Sequence, residues 1–173
     1  MWQHQIVPIA SGILLGLAVI LLVLASLRDF ATRIVPNRIP AALTVIGLLL
    51  ATLHGRLPWA LAGGAVVFGF SFLCWRMRWI GGADVKMLGA AAVLVPPMAV
   101  ANLVLATALA GGLLAVGYVI ARTLLAKPSA PGPDPRHDSL VRRVLRAERW
   151  RIHRGCPLPY ACAIACGTLL MLR

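Results

Sequence analysis

Long apolar stretches, separated by short polar ones, divide the sequence into segments typical of membrane-spanning helices. The first stretch, 6–27, contains 22 residues without a charge, and a helix needs about 20 apolar residues to cross a bilayer. Further uncharged stretches follow at 39–53, 57–75, 87–121 and 155–172. The pattern therefore predicts an all-α polytopic membrane protein.

The stretch 87–121 decides how many helices cross the membrane. Its 35 residues are too long for one span, and Pro96 and Pro97 interrupt it by removing backbone donors. If it crosses twice, 15 of the 17 Lys and Arg residues fall on one side, as expected for cytoplasmic segments. The sequence thus predicts six transmembrane helices, with both chain ends outside and the basic segments in the cytoplasm.

Composition agrees with this prediction and narrows the class of protein. Hydrophobic residues make up 60% of the chain and its mean hydropathy is +0.86, values that exclude a soluble globular protein. The net charge of +12 is confined to short segments between apolar stretches, so nucleic-acid binding is not expected. We expect a single membrane-embedded domain, 1–173, without a metal or cofactor.

Two of the five acidic residues stand at the ends of apolar stretches, on the predicted cytoplasmic face. Asp29 follows the first apolar stretch, and Asp84 precedes a short apolar segment, behind Gly81 and Gly82. The segment from Asp84 to Val95 has 12 residues, or about 18 Å of helix, against a hydrocarbon core of about 30 Å. We therefore expect the Asp84 end to be recessed, where an ionisable group is costly unless it has a function.

The two aspartates have opposite settings along the chain. Asp84 begins a helix, where the dipole favours the ionised form, whereas Asp29 ends one, where it is disfavoured. The structural alternatives are an ordinary N-cap for Asp84 and an interfacial ion pair of Asp29 with Arg28 or Arg33. If the two carboxyl groups meet, their repulsion makes them share one proton, as in an aspartic protease.

Two motifs carry a resemblance to a known family. Asp29 is followed seven residues later by Pro36 and Asn37, in "DFATRIVPN", and Gly81 opens "GGADVKML". These motifs resemble those of the type IV prepilin peptidases, within the intramembrane G-x-G-D aspartic proteases, with Ala83 in place of the second glycine. The resemblance implies that Asp29 and Asp84 are catalytic. We expect substrate contacts at six motif positions: Gly81, Gly82, Ala83, Lys86, Pro36 and Asn37.

The resemblance also implies a substrate and a location. Residues 157–170 are similar to the last helix of short family members that process Flp/Tad-type pilins. The implied reaction removes the basic leader from a prepilin or pseudopilin at the cytoplasmic boundary of a bacterial inner membrane. Nothing here corresponds to the cytoplasmic region with which longer members methylate the new N-terminus. The alternatives are another G-x-G-D-type protease, or a non-enzymatic transporter or assembly component.

The segment 127–155 stands apart from the apolar stretches. Four prolines in 127–138 predict an exposed linker, and the stretch beginning at Ser139 predicts a basic amphipathic helix in which Glu148 and Arg151 interrupt the apolar side. We expect this helix, 139–154, to lie on anionic lipids of the inner leaflet or to meet an acidic partner in the pilus assembly machinery. The alternative is a solvated charged loop.

Overall fold

A computed structural model of the chain describes residues 3–124, 140–154 and 158–172. In these ranges the chain forms helices and no strand, which confirms the all-α prediction. The described residues contain seven α-helices: α1 (Gln3–Thr32), α2 (Arg38–Leu53), α3 (Leu57–Arg76), α4 (Gly82–Leu94), α5 (Val100–Leu124), α6 (Leu140–Arg154) and α7 (Tyr160–Met171). A short 3-10 helix, Pro97–Ala99, precedes α5, so the predicted interruption at the two prolines is confirmed.

Three of the described helical segments are long and apolar enough to cross a membrane: Val7–Thr32, Leu57–Arg76 and Pro97–Leu124. The helices α2, α4 and α7 have 16, 13 and 12 residues. The six-span topology therefore stays a prediction, as does the single domain. The linker 127–138 and Ser139 lie outside the described residues.

The short helix α4 lies at the centre of the helix packing. It packs against α2, α3 and α7, and nearly every residue from Val85 to Leu94 is buried. Close approach requires small residues on the neighbouring helices. A side chain at Gly47 of α2 would place its Cβ 2.9 Å from the backbone nitrogen of Leu94, and one at Gly64 of α3 would meet the side chain of Val93.

An arginine holds the carboxyl end of α4. The last carbonyls of a helix have no partner within it, and Pro96 and Pro97 bring no backbone N–H. Arg56, which lies between α2 and α3, donates to the carbonyl oxygen of Val95 at 2.7 Å and to that of Leu94 at 3.2 Å. The cation thus satisfies buried acceptors at the negative end of the helix dipole.

The last helix, α7, packs against α1, α4 and α5. Its contact with α5 depends on two glycines. A Cβ at Gly167 would lie 2.9 Å from the backbone nitrogen of Thr107, and a Cβ at Gly111 would lie 2.7 Å from the hydroxyl of Tyr160. This close packing fixes where the N-terminus of α7 lies relative to α1 and α4.

The packing of α4 gives a testable consequence for stability. Gly47→Ala forces a methyl group against the backbone of α4, and overpacking of this kind costs about 1–3 kcal/mol. We expect a lower melting temperature in detergent, by roughly 2–4 °C for each kcal/mol. Gly69→Ala on α3 is the matched control, since no atom lies within 4 Å of the added Cβ and alanine favours the helix. Equal melting temperatures for the two variants would contradict this packing.

Candidate active site

Asp29 lies in the last turn of α1 and is 8% exposed. Helix α1 continues past the apolar stretch 6–27 to Thr32, so the aspartate lies inside the helix rather than after it. Its Oδ2 accepts a hydrogen bond of 3.0 Å from the backbone N–H of Ala161. The carboxylate of α1 therefore caps the first turn of α7.

This contact adds a second helix to the electrostatic setting of Asp29. The sequence places the residue at the negative end of its own helix, where an anion is disfavoured. In the structure the same carboxylate faces the N-terminus of α7, where unpaired N–H groups and the helix dipole favour negative charge. Helix ends alone therefore describe the two settings incompletely, because both aspartates accept a hydrogen bond from a backbone N–H at the start of a helix.

Asp84 occupies the third position of α4 rather than the N-cap, which is Gly81. Its Oδ2 accepts a hydrogen bond of 3.2 Å from the N–H of Gly81. The backbone of Gly81 has φ −76° and ψ 149°, which any residue can adopt, so the glycine is not required by the turn. A Cβ there would lie 2.9 Å from Oδ2 of Asp84, so a side chain at this position would shift the carboxylate.

Gly82 also makes room for a neighbour. A Cβ at this position would lie 3.3 Å from the indole nitrogen of Trp75, at the end of α3. Ala83 is exposed. The glycine-rich motif thus keeps the backbone of α4 close to α3 and leaves the carboxylate of Asp84 uncovered by side chains from its own turn.

The two aspartates come within electrostatic reach of each other, since the charge of Asp29 acts on Asp84. They are 55 positions apart in the chain. Helix α7 packs against both α1 and α4, and its first turn binds Asp29. Among the described residues no three His, Cys, Asp or Glu side chains gather into a group that could hold a metal ion. The chemistry that this arrangement offers is that of a carboxyl pair.

A side-chain contact joins the two sequence motifs. Lys86 Nζ donates a hydrogen bond of 2.8 Å to Oδ1 of Asn37. Asn37 is the N-cap of α2, and Pro36 before it is half-buried, with its carbonyl accepting from the N–H of Ile39 at 3.0 Å. The motif after Asp29 and the motif around Asp84 therefore meet at neighbouring helix starts.

An open, mostly apolar groove begins at this contact and runs between α2, α3 and α4. Its volume is about 540 Å³. Asn37 and Lys86 lie on its wall, whereas the two aspartates do not. The other lining residues are Pro40, Ala41, Thr44, Leu61, Gly64, Ala65, Phe68, Gly89, Ala90 and Val93.

The sequence analysis missed a polar cluster beside Asp29. Glu148 of α6 is 5% exposed and accepts hydrogen bonds from Arg33, Tyr118 and Arg151. Arg33 therefore pairs with Glu148, and the alternative in which it pairs with Asp29 is not what is found. The sequence contained one indication of this cluster: Glu148 and Arg151, three residues apart, interrupt the apolar side of the predicted helix.

The cluster also corrects the expected orientation of α6. The side expected to lie on lipid carries Val144 and Ile152, which are half-buried, and Glu148, which is buried. Leu145, expected on the same side, is exposed. The polar interruptions face the protein because they bind the ends of α1 and α5.

The structural role of Asp29 as the cap of α7 can be tested separately from any role of its charge. Asp29→Ala removes the acceptor for the N–H of Ala161, and loss of a cap costs about 0.5–2 kcal/mol, whereas Asp29→Asn keeps an acceptor oxygen. We expect faster hydrogen–deuterium exchange in the first turn of α7 for the alanine variant, with little change for the asparagine variant. Identical exchange in wild type and Asp29→Ala would contradict the cap.

Comparison with known proteins identifies the family. The sequence model of the type IV leader peptidase family matches residues 16–116, more than half of the chain, and this range contains Asp29, Asn37, Asp84 and Lys86. No curated protein and no solved structure matches the chain. The match favours a leader peptidase over a transporter or assembly component. The chain belongs to the type IV leader peptidase family.

Proposed function

We propose that this membrane peptidase is an aspartic-type endopeptidase in which Asp29 and Asp84 form the catalytic pair. One observation carries the proposal. The charge of Asp29 reaches Asp84, an aspartate from a separate motif, and α7, whose first turn binds Asp29, packs against the helices of both. A carboxyl pair of this kind holds one proton between its members at working pH.

The neighbours of the two residues suggest which one is ionised. Asp29 accepts the Ala161 N–H, and it feels the positive charges of Arg33 and Arg151 against the single negative charge of Glu148. Asp84 accepts the N–H of Gly81 and feels the negative charge of Asp29. We therefore assign the base to Asp29 and the shared proton to Asp84, the reverse of the order that helix ends alone suggest.

The reaction then follows from these two states. Asp29 takes a proton from a water molecule as the water oxygen attacks the scissile carbonyl carbon. Asp84 gives its proton to the carbonyl oxygen, which becomes the hydroxyl of a tetrahedral intermediate. When the C–N bond breaks, Asp29 passes its proton to the leaving nitrogen and Asp84 takes back the hydroxyl proton as the new carboxyl group forms. The pair returns to its starting state.

The substrate we propose is a prepilin or pseudopilin of the Flp/Tad type, with a basic leader followed by an apolar helix. The family implies prepilin substrates, and residues 157–170 support the Flp/Tad class. We place the site at the cytoplasmic face of a six-span protein in a bacterial inner membrane, with both chain ends outside, because 15 of 17 Lys and Arg residues fall on that side.

The substrate's extended segment would lie along the backbone at Gly81, Gly82 and Ala83, which no side chain of that turn covers. Asn37 and Lys86, behind Pro36, would contact the chain as it enters the membrane. The apolar groove beside them has the chemistry to receive the first side chains of the substrate's helix.

Helix α6 retains surfaces for other partners. Leu145 and Trp150 are about half exposed on a helix rich in arginine, which suits contact with anionic lipid of the inner leaflet or with an acidic component of the pilus machinery. Docking of Glu148 on the protein and lipid contact through Leu145 use different sides of the helix.

Co-expression with a tagged Flp-type prepilin tests the catalytic pair. We expect wild type to produce the leader-cleaved band, and Asp29→Asn and Asp84→Asn each to lower the cleavage rate by about 10²–10⁴-fold, because each removes one partner in proton transfer. Membrane levels of each variant, measured by immunoblot, exclude loss of protein as the cause.

Asp138→Asn is the matched control, since it is the same chemical change at an aspartate outside both motifs. We expect it to cleave as wild type does. Full cleavage by either motif variant would contradict the pair, and a wild type that cleaves no prepilin would contradict the assignment of substrate.

A further inference from the structure

The buried carboxylate of Glu148 docks α6 onto the rest of the protein. A buried charge is costly unless it is paired and hydrogen-bonded, and Glu148 accepts from three donors: Arg33 directly after α1, Tyr118 of α5 and Arg151 of its own helix. Arg33 also donates to the hydroxyl of Tyr118 at 3.2 Å. The cluster therefore joins α1, α5 and α6 at one point.

Arg33 reaches this cluster from an unusual backbone position. Helix α1 ends at Thr32, and Arg33 follows with φ 58°, a left-handed conformation that a residue other than glycine adopts at a cost. Its N–H still bonds the carbonyl oxygen of Asp29 at 2.9 Å. The contacts of its side chain with Glu148 and Tyr118 hold this conformation.

Arg151 binds the end of the helix that carries Asp29. Its guanidinium donates to the carbonyl oxygens of Phe30 and Ala31, both at 3.0 Å, and to Glu148 at 3.1 Å. The last carbonyls of a helix have no partner within it, and a cation at that end complements the dipole. Arg151 thus fixes the two residues that directly follow Asp29.

Several charged or titratable groups face Asp29 from the elements around it. The positive ones are Arg33 and Arg151, and the negative ones are Glu148 and Asp84. Cys162 of α7 is also within electrostatic reach. Two of the four charges therefore belong to α6, which lies outside the range 16–116 matched by the family.

We propose that α6 is part of the active site, in which Arg151 and Glu148 act as positioning residues that hold the end of α1 and set the charge around Asp29. The inference rests on the proposed function, because Asp29 must be catalytic for its position to matter. It assigns a positioning role in the active site to a helix that the sequence analysis expects on lipid or on an acidic partner.

A purely structural role for the cluster predicts a different result. Glu148 and Arg151 bond each other, so Glu148→Gln and Arg151→Gln both break the same ion pair and both weaken docking of α6. If docking were all that mattered, the two variants would lose activity in the same way at every pH. Their charge changes, however, are opposite in sign.

The test is the pH–rate profile of the full-length purified chain cleaving a tagged Flp-type prepilin. Glu148→Gln removes a negative charge near Asp29. The loss of that repulsion favours the ionised form of the carboxyl pair, so the pH–rate profile of this variant moves to lower pH. Arg151→Gln removes a positive charge, so its profile moves to higher pH. For charges at this range with partial screening, we expect roughly 0.5–1 pH unit in each direction.

Two further variants separate charge from contact and guard against misfolding. Arg151→Lys keeps the charge but cannot reproduce the fork of hydrogen bonds, so we expect an unmoved profile with a lower kcat. Arg154→Gln is the matched control, because it removes a positive charge from the exposed end of α6, where Arg154 stacks on Trp150. If Glu148→Gln fails to fold, the pH–rate profiles of Arg151→Gln and Arg151→Lys are compared instead. A shift in the glutamine variant alone supports the inference, and equal profiles contradict it.

The outcomes are distinguishable from failure of the proposed function. An active wild type with opposite shifts in Glu148→Gln and Arg151→Gln supports the inference. An active wild type in which both profiles stay in place, or move the same way, contradicts it while leaving the peptidase intact. A wild type inactive at every pH overturns the proposed function, and this inference with it.

Discussion

The hydrogen bond between the Asp29 carboxylate and the N–H of Ala161 is the contact on which the rest of the site depends. It joins the end of α1 to the start of α7, and α7 packs in turn against α4, which carries Asp84. Because the first N–H groups of a helix are unpaired and lie at the positive end of its dipole, the same contact positions a buried aspartate and stabilises its charge. The N-terminus of α7 therefore determines both where the Asp29 carboxylate lies and how strongly its negative charge is stabilised.

The short helix α4 positions the other aspartate, Asp84. Its length of 13 residues is fixed by the two prolines after it, and Arg56 satisfies the carbonyls that they leave open. Glycine at 47 lets α2 come close to it, and Lys86 joins it to the start of α2. A helix held at both ends can keep one carboxyl group in a fixed place for chemistry.

The sequence predicted the helical class, the interruption at Pro96 and Pro97, and the family, because apolar length and local motifs are encoded by neighbouring residues. It could not predict the environment of Asp29, since Ala161 is 132 positions away and the helix dipole that matters belongs to α7. For the same reason Glu148 was interpreted as an interruption of a lipid-facing helix. Two of its donors, Arg33 directly after α1 and Tyr118 of α5, are distant in the sequence. The charged groups around a site come from tertiary contacts, and the hydrophobic periodicity of single helices does not predict those contacts.

The central claim is that Asp29 and Asp84 hold one proton between them. Infrared difference spectroscopy of the purified chain at neutral pH, comparing wild type with Asp84→Asn, tests it most directly because a protonated carboxyl group has its own C=O band. The account predicts such a band in wild type and its loss in the variant. Absence of the band in wild type, or a band that persists unchanged in Asp84→Asn, would contradict the shared proton.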